Sequence, residues 1–100
     1  MMSQRNSSAK ALKINPADNV AVALTDISAG EEADVVSEDG SLIRIEPIDP
    51  IPLAHKIALV EIGAGEKIIK YGESIGAATR DIHPGEHVHI ANVKSLRAGS

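Results

Sequence analysis

The sequence predicts a small, mostly β domain made of short strands and brief helical turns, and three observations carry that prediction. The core must be built almost without aromatics, because 43% of the 100 residues are hydrophobic yet only one, Tyr71, is aromatic. Ile and Val far outnumber Leu, and β-branched side chains suit a pleated, half-buried surface better than a helix. Gly- and Pro-containing turn signals recur along the chain, and no amphipathic pattern runs longer than about three helical turns. At this length one core is all the chain can bury, which makes it a single domain.

Taken in order, residues 1–10 are polar and aperiodic and read as a mobile tail, in part an expression remnant. The domain spans 11–97, with its first apolar landmark at Leu12, and 98–100 form a second tail. Val20, Val22 and Leu24 alternate with Ala21 and Ala23 as a first strand. Asp39-Gly40 is a hairpin turn signal between Val35-Val36 and Leu42 to Ile45. Pro47, Pro50 and Pro52 then remove backbone donors, so Glu46 to Lys56 reads as a constrained connector or a sheet edge. Further strands are expected at Lys56 to Val60, Lys67 to Tyr71, Ile75 to Ala78 and His87 to Ile90, with a turn at Tyr71 to Ser74.

One local device recurs. The strings DISAGE, EIGAGE and DIHPGE begin at Asp26, Glu61 and Asp81 at unequal intervals, which excludes a solenoid. Each is expected to be a turn that launches a strand: the leading acid caps the turn's first amides, Ile anchors it to the core, and Gly adopts a left-handed angle.

Several function classes are disfavoured. A formal charge of −4 and the lack of aromatics argue against a nucleic-acid surface. No apolar run approaches the roughly 20 residues that span a bilayer, and the first residues lack a signal-peptide core, so the expected location is the cytoplasm. With no Cys, any metal must be held by His, carboxylate or carbonyl groups.

Chemistry concentrates on the histidines. His83 and His87 are separated by Pro84-Gly85, which rules out a shared helical metal site. On a strand, His87 and His89 share a face while Val88 and Ile90 turn to the core. Side by side, the two imidazoles either ligate a metal and shuttle protons or merely line the solvent face of an edge strand. His55 either joins them or serves the fold through a backbone carbonyl. Lys56, Lys67 and Lys70 near Tyr71 offer a modest attraction for an anionic sugar acid.

The stretch AHKIALVEIGAGEKIIKYGESIGAATRDIHPGEHVHIANV closely resembles the N-terminal region of altronate dehydratase and related sugar-acid dehydratases, over about Asn19 to Val93. Its landmarks are His55-Lys56, Lys70-Tyr71-Gly72, Ile75-Gly76 and GEHVH followed by Asn92. The resemblance implies an SAF domain of β-clip fold, present either ahead of a large catalytic domain or as a separate small subunit, and the chain's length suggests the latter or a fragment. It further implies elimination of water from altronate- or galactarate-like acids with a divalent metal, Fe2+ or Mn2+, held mainly by a large dehydratase subunit. A related branch eliminates sulfite from sulfolactate, and a non-catalytic module that binds substrate or partner is the other alternative. On this reading His87, His89 and His55 are catalytic, with His87 and His89 sharing the metal with the large subunit. Lys56, Tyr71, Gly72 and Asn92 contact substrate. Relatives often carry another His where this chain has Ala91, so a three-imidazole strand is not expected here. Self-association into a homo-oligomer also stays open.

Overall fold

Strand β1 (Lys10–Lys13) lies at the centre of the larger of two sheets, hydrogen-bonded to β2 (Val20–Ala23) on one side and to β3 (Ala33–Ser37) on the other. The computed structural model describes residues 9–95. Sheet order is β4-β3-β1-β2-β5-β8, with β4 (Leu42–Ile45), β5 (Lys56–Ala58) and β8 (His87–Val88); all its pairings are antiparallel except β1 with β3. A smaller sheet, β6-β7-β9, holds β6 (Lys67–Lys70), β7 (Glu73–Ala78) and β9 (Val93–Lys94). The described residues contain no helix, so the expected brief helical turns are absent, and the all-strand architecture agrees with a β-clip.

The β1 strand corrects the expected tail boundary. Ala9 is buried in the core and Lys10 pairs with Asp34, so the ordered fold begins ahead of residue 11. The rest of the two tails, residues 1–8 and 98–100, lies outside the described residues.

Two apolar clusters share the load. One gathers Ala11, Ala21, Ile27, Val35, Ile51 and Ile57, among others; the second gathers Val20, Ala58, Ile62, Ile68, Ile82 and Val88. β2 and β5 belong to both. In their antiparallel register Ala21 faces Ile57 and Val20 faces Ala58, and strand alternation sends the first pair into one core and the second into the other.

Each core is centred on a pair of the repeated turns. Ile27 and Ile51 exchange two backbone hydrogen bonds of 2.8 Å, as Ile62 and Ile82 do at 2.8 and 2.9 Å. The Ile27, Ile62 and Ile82 turns are the repeats visible in sequence; their Ile side chains are buried and Gly30, Gly65 and Gly85 have φ of 81, 87 and 91°. β3, β6 and β8 follow them directly, as expected of strand-launching turns. Capping differs from expectation. The closing Glu, not the leading acid, takes the turn's own first amide: Glu31 from Ser28, Glu66 from Gly63 and Glu86 from His83. The leading acid reaches the opposite turn instead, with Asp26 accepting from the Leu53 amide and Asp81 from that of Ala64.

The proline connector therefore conceals a fourth turn. Ile51-Pro52-Leu53-Ala54-His55 repeats the device with Ala54 at φ 73° where the others have Gly, and His55 where they have Glu. Its closing hydrogen bond, His55 N to Pro52 O at 2.9 Å, matches Glu31 to Ser28, Glu66 to Gly63 and Glu86 to His83. The left-handed residues complete the pairing: Gly30 donates to Pro47 O and Ala54 to Ala23 O, while Gly65 donates to Ala78 O and Gly85 to Ala58 O. The segment is thus a clasp anchored by the buried Pro47 and Ile51, and not a sheet edge. The reason a histidine is tolerated there is chemical. Pro52 has no N–H, so the group that a closing Glu would satisfy does not exist, and position 55 is free to carry a different side chain.

Candidate functional site

Three imidazoles meet where β5 and β8 pair at the end of the large sheet. Ile57 lies opposite His87 in the register, which puts His55, two residues earlier on the same side of the ladder, diagonally across from His87. His55 Nδ1 and His87 Nε2 are 2.9 Å apart, and the His87 and His89 rings stack with centroids 4.1 Å apart and planes 10° from parallel. Of the two roles open to His55, the structure shows the first: its ring joins the cluster.

The strand that carries the pair is shorter than expected. β8 ends at Val88, which is fully buried; His89 to Asn92 form a turn, and Ile90 is 93% exposed instead of facing the core. The physical cause is Asn92. Its carboxamide oxygen accepts the His89 amide and its nitrogen donates to the His87 carbonyl, both at 2.8 Å, so the side chain takes over the bonds a next strand would provide. Asn92 is wholly buried by this task, so in this structure it positions the two histidines and presents no group to a substrate. Ala91 sits exposed in the same turn, off the strand, and a His there would not extend a period-two ladder.

Asp49, which sequence reasoning passed over among the prolines, closes the other side: its Oδ2 accepts the His87 amide at 3.0 Å. Aligning IPLAH with the IxxGE turns puts Pro50 at the leading position and leaves Asp49 one residue before it, so no local pattern in the sequence marked Asp49.

The electrostatics favour a neutral His87. His87 is held below its ordinary 6.5 first by burial and then by the proximity of His89 and His55, with Asp49 opposing. Lys56 on β5 is likewise pushed down, by partial burial and then by Lys70. Lys70 in turn lies 4.8 Å over the ring of Tyr71, which is half exposed. Tyr71 and Gly72, at φ 57 and 78°, are the two central residues of the β6–β7 turn. Gly72 donates to the buried Asp18, whose own burial is outweighed by the amides of Gly72 and Asn15, so its carboxyl stays below its ordinary value. Lys56 thus links two regions, the histidine cluster and the Lys70-Tyr71 turn. Lys67 is exposed at the start of β6, and His83 stands apart, its Nδ1 2.9 Å from Glu61.

Among the described residues no group of three or more His, Asp or Glu is disposed to hold a metal ion. An ion ligated by an imidazole lies in the ring plane, so the stacked His87 and His89 rings cannot converge on one ion. His55 and His87 are joined differently: their 2.9 Å nitrogen separation is that of a hydrogen bond and suits a shared proton. Two recesses, of about 270 and 330 Å³, lie by Lys13 and Asn15 and between Ile27 and Pro52, and neither is lined by an imidazole.

A family model described as the altronate/galactarate dehydratase SAF domain matches residues 9–96. The chain is 43% identical over 84 residues to altronate dehydratase of Bacillus subtilis (strain 168), covering 84% of the chain and 16% of that protein. It is 39% identical over 85 residues to galactarate dehydratase (L-threo-forming) of Escherichia coli (strain K12), covering 85% of the chain and 15% of the relative. A third relative, (2R)-sulfolactate sulfo-lyase subunit alpha of Paracoccus pantotrophus, is 43% identical over 63 residues, or 63% of the chain and 94% of that subunit. The chain therefore spans about one sixth of each dehydratase it matches and nearly all of the sulfo-lyase subunit.

Proposed function

The chain belongs to the altronate/galactarate dehydratase SAF-domain family, and from that premise we propose that it works as the small subunit or N-terminal domain of a cytoplasmic sugar-acid dehydratase. The reaction is elimination of water from an altronate- or galactarate-like acid, carried out together with a large catalytic part. The observation that carries this reading is the His55–His87–His89 cluster, its His87 and His89 backbone held by Asn92 and its His87 ring held towards the neutral form by burial and the neighbouring imidazoles.

Such an elimination removes the proton α to a carboxylate and expels a β-hydroxyl, so it needs a base and an acid. His87, depressed below 6.5, is unprotonated at neutral pH and suits the base. Its contact with His55 gives the proton somewhere to go: with His87 Nε2–H donating to His55 Nδ1, a proton taken up at His87 Nδ1 is matched by one passed to His55, which is exposed and can release it to solvent or to the departing hydroxyl. The stacked His89 lends His87 orientation and adds to the repulsion that disfavours its charged form. Lys56, with Lys70 and Tyr71 beyond it, supplies positive charge for the substrate carboxylate. A divalent ion such as Fe2+ or Mn2+, held mainly by the large part, would add Lewis-acid help to the leaving group.

A second reading is favoured by one fact, the 94% coverage of a sulfo-lyase subunit alpha. The same base and relay would then serve elimination of sulfite from sulfolactate. Reconstitution with the large polypeptide and a divalent metal, assayed on sugar acids and on sulfolactate, decides between them. Activity on altronate or galactarate supports the dehydratase. The acid limb of its pH–rate profile should fall below 6.5, because lowering the base's pKa extends its unprotonated form to lower pH. His87→Ala with His89→Ala should lower kcat by at least about 100-fold, and unchanged turnover would show a module that only binds.

A further inference from the structure

Among the described residues the fold buries three carboxylates, Asp18, Asp34 and Glu86. Asp34 pairs with Arg44 and Glu86 with Arg80, whereas Asp18, 6% exposed, meets backbone amides and no cation. No step of the proposed elimination uses it. Its Oδ2 accepts the Asn15 amide at 3.0 Å and its Oδ1 the Gly72 amide at 2.7 Å, so one side chain ties the β1–β2 loop to the β6–β7 turn, 54 positions further along the chain. Burial pushes its carboxyl up, and the amides of Gly72, Asn15, Tyr71 and Ile14 outweigh that, so it stays ionised and keeps its hold. The loop is itself closed by the Asp18 amide on Asn15 O and the Ala17 amide on Asn15 Oδ1. Next in the chain, Asn19 grips the strand leading into the turn, accepting from the Ile69 amide at 2.8 Å and donating to the Lys67 carbonyl at 2.9 Å.

The clamp holds a conformation that the turn itself disfavours. Tyr71 has φ 57°, a left-handed angle that is unfavourable for a residue with a Cβ. Gly72 is packed on the loop so closely that an added Cβ would lie 2.7 Å from Asn15 Nδ2. Held there, the half-exposed Tyr71 ring lies 4.8 Å from Lys70 Nζ, a cation–π contact. Lys70 is in turn near enough to Lys56 to disfavour its charged form. Glu73 stands opposite Lys70 in the register, yet neither ammonium is in an ion pair among the described residues. Two cations kept together without a counter-ion repel, and a bound anion relieves that repulsion.

We infer that Asp18 is a positioning residue: by clamping the Tyr71-Gly72 turn it fixes Lys70 beside Lys56 as the subsite for the substrate's carboxylate. This rests on the proposed function, and it adds what holds that subsite in place. Asp18 itself touches no substrate.

The test reads KM and kcat of the reconstituted enzyme on altronate and galactarate, together with the NMR spectrum of the chain alone. Asp18→Asn keeps one acceptor oxygen but turns an NH2 towards an amide, which releases the turn. KM should rise about tenfold, the loss of roughly one charge-assisted contact, while kcat stays within about twofold because binding is lost equally from ground and transition states. Lys70→Met should give the same rise, and the double variant no more than Lys70→Met alone. In the chain alone, the protons beside Lys70 Nζ are shielded by the Tyr71 ring, and in Asp18→Asn they should return to the shift of a free lysine. Asp34→Asn removes a carboxylate of similar burial on β3, and should lower the melting temperature while moving neither readout. Should Asp18→Asn fail to fold, Gly72→Ala disturbs the same clamp from the turn's side, with the same two changes expected. Unchanged KM, a rise that adds to that of Lys70→Met, or unchanged Lys70 shifts would each overturn the inference. Failure of the functional reading looks different: the wild-type pair would turn over no sugar acid, while the Lys70 shifts still responded to Asp18→Asn.

Discussion

The turn at Ile51 to His55 and the turn at Ile82 to Glu86 have the same backbone and opposite employment. Both close with the amide of the fifth residue on the carbonyl of the second, at 2.9 and 3.0 Å, and both bury their Ile completely. In the later turn Glu86 is 8% exposed, accepts the His83 amide and pairs with Arg80 at 3.0 Å, so its carboxylate holds the turn together. In the earlier one Pro52 has removed the amide, and His55 points outward to His87. The same substitution logic acts at Pro84. That residue offers no N–H to Glu61, in the place where Ala64 serves Asp81, and the freed Glu61 carboxylate takes His83 Nδ1 instead. A proline in this fold releases a capping side chain for other work.

The strongest way to break the comparison is at the left-handed position. Gly85→Ala would place a Cβ 2.4 Å from the carbonyl oxygen of Glu46 at φ 91°, and should cost about 3 kcal/mol or more, read from urea denaturation. Next comes the exchanged side chain. His55→Glu should leave stability within about 0.5 kcal/mol, because Pro52 gives the carboxylate nothing to accept from, while turnover of the assembled enzyme falls by about 100-fold. In a Pro52→Ser background the same His55→Glu change should instead stabilise by about 1 kcal/mol, since the amide has returned; a double-mutant cycle measures the difference. The smallest effect belongs to Ala54, which holds φ 73° with a Cβ. Ala54→Gly should raise stability by about 0.5–1 kcal/mol in the same denaturation assay, the cost of a left-handed alanine.

What the sequence made legible follows from what was local. The three Gly-Glu turns and the β3–β4 hairpin are written in adjacent residues and appear where expected; the turn expected at Tyr71 to Ser74 is tighter, Tyr71-Gly72 alone, because Glu73 and Ser74 already belong to β7. β1 escaped notice because KALK is short and carries a charged residue at each end, and its parallel partner β3 lies beyond β2 in the chain. The fourth turn was hidden because Ala, Pro and His replaced the residues by which the others are known. The pairing of His87 with His89 was readable from period two, but the arrival of His55 depends on a clasp between distant segments, and the early end of β8 depends on a side chain, Asn92, competing with the backbone. Periodicity also led astray at Ile90, where a strand pattern continued past the point at which the strand stops.

The reciprocal bonds between paired turns change how these loops respond to solvent. The amides of Gly30, Ala54, Gly65 and Gly85 each end on a carbonyl of the partner turn's own approach segment, at 2.8 to 2.9 Å, so no turn can open without its mate. Exchange of those amides for deuterium therefore reports opening of a whole core and not fraying of a loop, and a protease seeking accessible turns meets four that are as well guarded as strands.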